Sequence, residues 1–258
     1  MRYPHFIEFE LTNHCQLKCI MCPHPQMTRP KGFMQPALVK KIVDEVRGHT
    51  KDSYLHIQGE PLLHPEFDEC VNYVADAGIR TSFASNALLL DGDIASKVLH
   101  SKLNEIIISI DSLDKDTYEK IRVGSSFDKV YSNTIQFIKD KHSMGSKLEI
   151  VVCLTKMKEN ERDWAKFREG FAGATHVWTK GYSTFAGYAT KGEVVARKIN
   201  SCNKQQTHMS VLWNGDVVVC CRDFDGFSKY GNLYDDSVAN IWARREQDCH
   251  KIPFCKDC

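Results

Sequence analysis

Net charge is almost absent from this chain. Its 34 Lys and Arg residues offset 33 Asp and Glu, leaving a formal charge of +1 over 258 residues. That balance gives no electrostatic case for a nucleic acid or a membrane surface as partner. Long apolar runs are missing as well: no stretch approaches the roughly 18 uninterrupted apolar residues of a membrane helix. The opening "MRYPHFIEFELT" holds no apolar core long enough for a secretion signal. Internal repeats, low-complexity tracts and long charge runs are lacking too. Together these absences predict a cytoplasmic protein of ordinary globular composition, 42% hydrophobic and 26% charged. The chain is long enough to bury a full core, as one large domain or as a large domain with a small one.

Against that background the eleven cysteines stand out. In a reducing compartment, clustered cysteines are metal ligands or catalytic groups more often than disulfides. Cys15, Cys19 and Cys22 fall within "HCQLKCIMCPH" as C-x3-C-x2-C, Cys70 and Cys153 stand alone, and six more lie from Cys202 to Cys258. This layout predicts two metal sites, one toward each end of the sequence.

The intervening pattern alternates. "FIEFELT" reads as a strand feeding the cysteine loop, and "QPALVKKIVDEVRG" as a helix that Gly48 ends. "SYLHIQG", "IRTSFASN", "NEIIISID" and "KLEIVVCLT" read as further strands, and "NEIIISID" is apolar enough to be covered on both faces. Helical periodicity marks "FDECVNYVADAG", "GDIASKVLHSKL" and "SFDKVYSNTIQFIKDKHS". Such alternation predicts an α/β fold: a parallel sheet with crossover helices, closed or part-closed into a barrel. Chemistry in such folds gathers at the C-terminal strand ends. The cysteine loop, "QGEP", "ASN" and "SIDS" all fall there. From about Ala172 the rhythm fails; "HVWTKGYSTFAGY" offers aromatic and hydroxyl residues that either line a substrate pocket or simply pack. A boundary is placed near residue 200, giving a barrel over 1–200 and a small domain over 201–258. The latter reads as a hairpin turning at Asn214-Gly215, a short helix in "SVANIWARREQ", and the terminal "FCKDC".

A cubane iron–sulfur cluster has four irons, each needing a thiolate or a substitute. Three cysteines would leave one iron open, as catalytic zinc sites leave a coordination position open. Spacing alone also admits a zinc site borrowing His14 or His24, or unligated core thiols.

In context the stretch resembles the radical S-adenosylmethionine (SAM) enzymes, whose signature is C-x3-C-x2-C after the first strand of a partial (β/α)6 barrel. The resemblance spans roughly residues 5 to 180. It implies that Cys15, Cys19 and Cys22 hold a [4Fe–4S] cluster whose open iron binds SAM. Gly59, Glu60 and Pro61 correspond to the "GGE" segment that meets the SAM amino group, with Gln58 replacing its first glycine. Asn86, Ser109, Asp111, Arg122 and Leu154 occupy positions where family members contact SAM, and Met21 one that packs near the adenine. The implied chemistry is formation of a 5′-deoxyadenosyl radical that takes a hydrogen atom from an unactivated C–H bond. An external donor such as flavodoxin or ferredoxin is the implied electron source.

Cys202, Cys220, Cys255 and Cys258 resemble the ligands of the auxiliary-cluster domains of this superfamily, in the short Twitch form of the SPASM type. They imply an auxiliary [4Fe–4S] cluster; by spacing alone a structural zinc site serves equally. Cys70 and Cys153 read as core, and Cys221 receives no role. Cys249, in the polar "EQDCHK", is a candidate thiol for returning a hydrogen atom to a substrate radical. The short domain resembles that of aminocyclitol and aminoglycoside dehydrogenases and epimerases. The first strand begins almost at Met1, leaving no room for a leader-peptide domain. Both points favour a small, carbohydrate-like substrate. A peptide-modifying enzyme is the alternative reading, and a non-catalytic metal-binding protein the remote one.

Overall fold

The computed structural model describes residues 2–181, 183, 185–186, 202–246 and 251–257. Its framework is a row of six parallel strands: β1 (Phe6–Phe9), β2 (Asp52–Tyr54), β3 (Arg80–Ser85), β4 (Glu105–Ser109), β5 (Glu149–Lys156) and β6 (His176–Gly181). Parallel neighbours need crossover connections. These are α1 (Pro36–Val46), α2 (Phe67–Asp76), α3 (Gly92–His100), α4 (Lys115–Ile121) and α5 (Phe127–Ser143). In α1, proline sits at the first turn, where its missing N–H leaves no bond unmade. Leu38, Val39, Ile42, Val43 and Val46 recur on one face and are all buried against the sheet. The helix α4 escaped the sequence reading because seven residues are too few to show periodicity. Asp114 caps it by accepting the Thr117 N–H at 2.9 Å.

The sheet does not end at β1. A third segment, α6 (Lys204–Thr207), leads into β7 (His208–Val211), which pairs with β1 in parallel, Phe6 beside His208 and Phe9 beside Val211. β8 (Asp216–Val218) and β9 (Lys229–Asn232) continue the sheet antiparallel, and α7 (Val238–Arg244) follows. The full order is β6-β5-β4-β3-β2-β1-β7-β8-β9, so β1 lies inside the sheet. The expected hairpin is present and turns at Gly215, whose φ of 85° belongs to the left-handed region. Among the described residues no helix is long and apolar enough to cross a membrane.

Strand alternation sorts the side chains of β1. Ile7, Phe9 and Leu11 enter the main core under the helices. Glu8 and Glu10, equally buried, face the other way. Glu10 pairs with both terminal nitrogens of Arg29, at 2.5 and 2.6 Å. Arg29 Nε also donates to the Phe224 carbonyl, and Asp225 accepts from the Thr28 and Arg29 backbone N–H groups at 2.7 and 3.0 Å. The loop beyond the first cysteines is thereby tied to the C-terminal segment.

Candidate functional site

Cys15, Cys19 and Cys22 line a single cavity of about 450 Å³, together with residues from the ends of the parallel strands. Two residues brace the loop that carries them. Asn13 donates to the Pro30 carbonyl and accepts from the Gly32 N–H, each at 2.9 Å, while Thr12 donates to the Gly32 carbonyl at 2.7 Å. His24 spends Nε2 on the Asn13 carbonyl at 2.8 Å. The loop also receives the "QGEP" segment at very close range. Gly59 has φ +85°, and a Cβ there would lie 2.4 Å from the Thr12 carbonyl oxygen. Only glycine lets Glu60 N–H reach the His14 carbonyl, at 2.8 Å.

Each sulfur meets a polar side chain. Asn86 Nδ2 lies 4.0 Å from Cys15 Sγ, Arg122 Nη1 lies 3.8 Å from Cys19 Sγ, and the Cys22 thiol lies 3.7 Å from Gln58 Oε1. Burial pushes Cys15 up to about 11 and Cys22 up to about 12, and raises Cys19 as well. Bare thiols here stay protonated; a metal must displace those protons. Among the described residues no three His, Cys, Asp or Glu side chains converge as a single ion would require. A four-iron cluster asks for something looser, one thiolate per iron, and three free thiols around one cavity fit it.

Glu60 is buried, yet it accepts from Ser85 Oγ at 2.9 Å, the Asn86 N–H at 2.7 Å and the Leu62 N–H at 3.2 Å. Burial outweighs these donors and lifts the carboxyl to about 7. Asp111 is fully buried and binds Arg122 through Nε and Nη2, both at 2.6 Å, while accepting the Thr155 N–H at 2.7 Å. Burial disfavours the Arg122 charge, but Asp111 and Cys19 outweigh it and hold the guanidinium above its ordinary value.

Of the expected SAM contacts, Met21, Gly59, Glu60, Asn86, Ser109 and Arg122 line the cavity. Pro61, Asp111 and Leu154 do not. Pro61 opens a short 3-10 turn capped by Glu60, Asp111 holds Arg122, and Leu154 lies in the core, with its neighbour Thr155 at the cavity.

The sequence reading gave no part to the far wall. There Glu8, His56, Lys204 and Cys221 line the same cavity. Lys204 Nζ lies 2.9 Å from Glu8 Oε1 and 3.2 Å from Cys221 Sγ, and Ser210 donates to Glu8. Burial alone would raise Glu8, but Lys204 and Ser210 bring it below its ordinary value. His56 accepts the Ala84 N–H on Nδ1 at 3.0 Å, so its proton sits on Nε2. Burial pushes it down to about 4, leaving a neutral ring. One signal was available: two glutamates at period two in the strand that feeds the cysteine loop, which need partners if that strand is covered on both faces.

The C-terminal cysteines lie in different surroundings. Cys220 packs with Val219 and Ile252, beside Cys255, Phe254 and Tyr230. Gln205 Nε2 lies 3.7 Å from Cys255 Sγ, and Cys202 is half-buried just ahead of α6. Cys70 is core, as expected, and Cys153 is buried in β5 away from the cavity lining. Cys249 and Cys258, and the boundary near residue 200, fall outside the described residues.

Comparison with known proteins agrees with this geometry. Residues 202–258 match the SPASM iron-sulfur cluster-binding domain. An AdoMet-dependent heme synthase of Methanosarcina barkeri is 32% identical over 120 residues, 46% of this chain and 34% of the relative, so the chain spans about a third of that protein's length. Streptococcus suis SuiB bound to the precursor peptide SuiA superposes with TM-score 0.78 at 14% identity, over 100% of this chain and 71% of SuiB. BtrN in complex with AdoMet and 2-DOIA gives TM-score 0.66 at 19% identity, over 98% of this chain and 87% of BtrN. The cofactors that follow are SAM, the [4Fe–4S] cluster that binds it, and an auxiliary iron–sulfur cluster. Residues 9–169, more than half of the chain, match the profile of the Radical SAM superfamily, and to that superfamily this chain belongs.

Proposed function

We propose that this radical SAM enzyme takes a hydrogen atom from a carbon of a small polar substrate, sugar- or aminocyclitol-like, as a dehydrogenase or epimerase. Cys15, Cys19 and Cys22 hold the SAM-binding cluster, and Cys202, Cys220, Cys255 and Cys258 the auxiliary one. When bound, the first cluster and SAM supply the one-electron chemistry that opens an unactivated C–H bond. The chain's own residues do the rest. Glu60 accepts the SAM ammonium, Asn86 and Ser109 meet its polar groups, and Arg122, fixed by Asp111, lies against Cys19. The domain reading, a barrel over 1–200 and an auxiliary-cluster domain over 201–258, belongs to this proposal.

The observation that carries the small-substrate reading is the far wall. Tyr54, His56, Lys180 and Lys204 give it hydrogen-bonding groups suited to hydroxyls. The likeness of fold to SuiB, solved with a precursor peptide, favours the second reading, a peptide substrate.

The test uses anaerobic, iron-loaded protein with SAM and dithionite, offered either aminocyclitols or unstructured peptides. An aminocyclitol should raise 5′-deoxyadenosine formation above the substrate-free rate and appear as a ketone or an inverted carbon. Stimulation by peptides alone overturns the small-substrate reading.

A further inference from the structure

Two adjacent cysteines part company. Cys220 turns into the apolar nest with Val219 and Ile252, while Cys221 lines the cavity shared with Cys15, Cys19 and Cys22. The sulfur of Cys221 is fixed there by Lys204 Nζ at 3.2 Å, and Lys204 in turn by Glu8 at 2.9 Å. An ammonium group has hydrogens to donate and no lone pair, so this contact leaves the thiol its own hydrogen. Nothing in the SAM-binding wall uses this thiol, and the nest around Cys220 and Cys255 does not include it.

The geometry points to Cys221 as a catalytic residue, a hydrogen-atom donor to carbon radicals formed in this cavity. In the step, the S–H bond breaks homolytically, a C–H bond forms, and sulfur is left as a thiyl radical. One electron from the low-potential reductant that also feeds the clusters, together with a proton from water, restores the thiol. Delivered to the face opposite the abstraction, the hydrogen inverts the carbon. The cavity therefore carries the residue that epimerisation needs and dehydrogenation does not. The inference rests on the reading of a carbon radical generated beside Cys15, Cys19 and Cys22.

Because a thiol exchanges its hydrogen with solvent, the test runs in heavy water without substrate or added thiols. Iron-loaded parent, Cys221→Ser and Cys221→Ala are given SAM and dithionite. The serine variant keeps an oxygen for Lys204 to bond but has no weak S–H bond to give. Iron per chain and the electron paramagnetic resonance of both clusters should match in all three proteins, since Cys221 is not a ligand. The parent should place deuterium at C5′ of 5′-deoxyadenosine, and both variants should lose most of that label. Loss of about half the iron in both variants would make Cys221 a cluster ligand and overturn the assignment. Equal labelling in all three, zero included, overturns the donor role while leaving the dehydrogenase reading standing. Failure of the loaded parent to form any 5′-deoxyadenosine removes the radical reading, and this inference with it.

Discussion

Around Cys15, Cys19 and Cys22 the neighbours are polar side chains directed at sulfur: Asn86, Arg122 and Gln58. Around Cys220 and Cys255 they are Val219, Ile252, Phe254 and Tyr230, and Gln205 Nε2 approaches Cys255 Sγ at 3.7 Å. Hydrogen bonds to sulfur and solvent exposure are levers that tune an iron–sulfur cluster. The first region sets polar side chains and a cavity beside its thiols, and the second sets apolar side chains beside Cys220 and Cys255. Under the proposed assignment of the cysteines, the first is the site that binds and the second the one that holds.

The largest effect should come from removing one ligand on each side. Two four-iron clusters, as proposed, should give the loaded protein about eight irons per chain. Cys19→Ala and Cys220→Ala should each lower that figure by about half. Only Cys19→Ala should abolish reductive SAM cleavage, read as 5′-deoxyadenosine by chromatography, whereas Cys220→Ala should retain measurable cleavage. Equal loss of cleavage in the two variants would erase the distinction between the regions.

A smaller effect should follow from the carboxylate behind the polar region. Asp111 is fully buried and, among the described residues, is the ion-pair partner of Arg122. Asp111→Asn leaves a buried guanidinium without its counter-charge, which costs about 3–5 kcal/mol when a buried pair is broken on one side. Urea unfolding of iron-free protein measures it. Lys102→Ala, which removes an exposed pair with Asp76, is the control and should cost less than about 1 kcal/mol. Indistinguishable midpoints for the two variants would mean that water reaches Arg122.

How much of this was legible beforehand depended on sequence separation. The strand–helix alternation and the clustering of "QGEP", "ASN" and "SIDS" at strand ends were readable because period and position are local properties. Asn86 was reached because it follows β3 directly, and Glu60 because it lies in the loop that leaves β2. The pairing of Asp111 with Arg122 was not: both appeared as ligand contacts, while the structure spends Asp111 on Arg122 and the Thr155 backbone. Glu8, Lys204 and Cys221 meet only because β7 docks on β1, a pairing across some two hundred residues that periodicity cannot announce. The division between Cys220 and Cys221 likewise depends on which way each side chain turns as the chain leaves β8.

The most modest prediction concerns pH and the polar region's only carboxyl lifted to about 7, Glu60. Its ordinary value is 4.5, and burial is the dominant cause of the rise. Between those two values the folded protein keeps a proton that the unfolded chain has released. Protonation of Glu60 therefore accompanies folding in that window, and this carboxyl's contribution to stability must fall as pH rises through it. A rise of this size corresponds to a loss of up to about 3 kcal/mol, complete by about pH 8 and absent below about pH 4. His56, pushed down to about 4, contributes the opposite slope up to its ordinary value of 6.5, so the measurement is the difference: from pH 5 to 8 the denaturant midpoints of iron-free parent should fall relative to those of Glu60→Gln. Glu10 and Asp223 are also raised by burial, and both lie nearer the C-terminal segment. A decline just as steep in Glu60→Gln would assign the proton to one of those two acids and move the pH sensitivity from the binding region to the enclosing one.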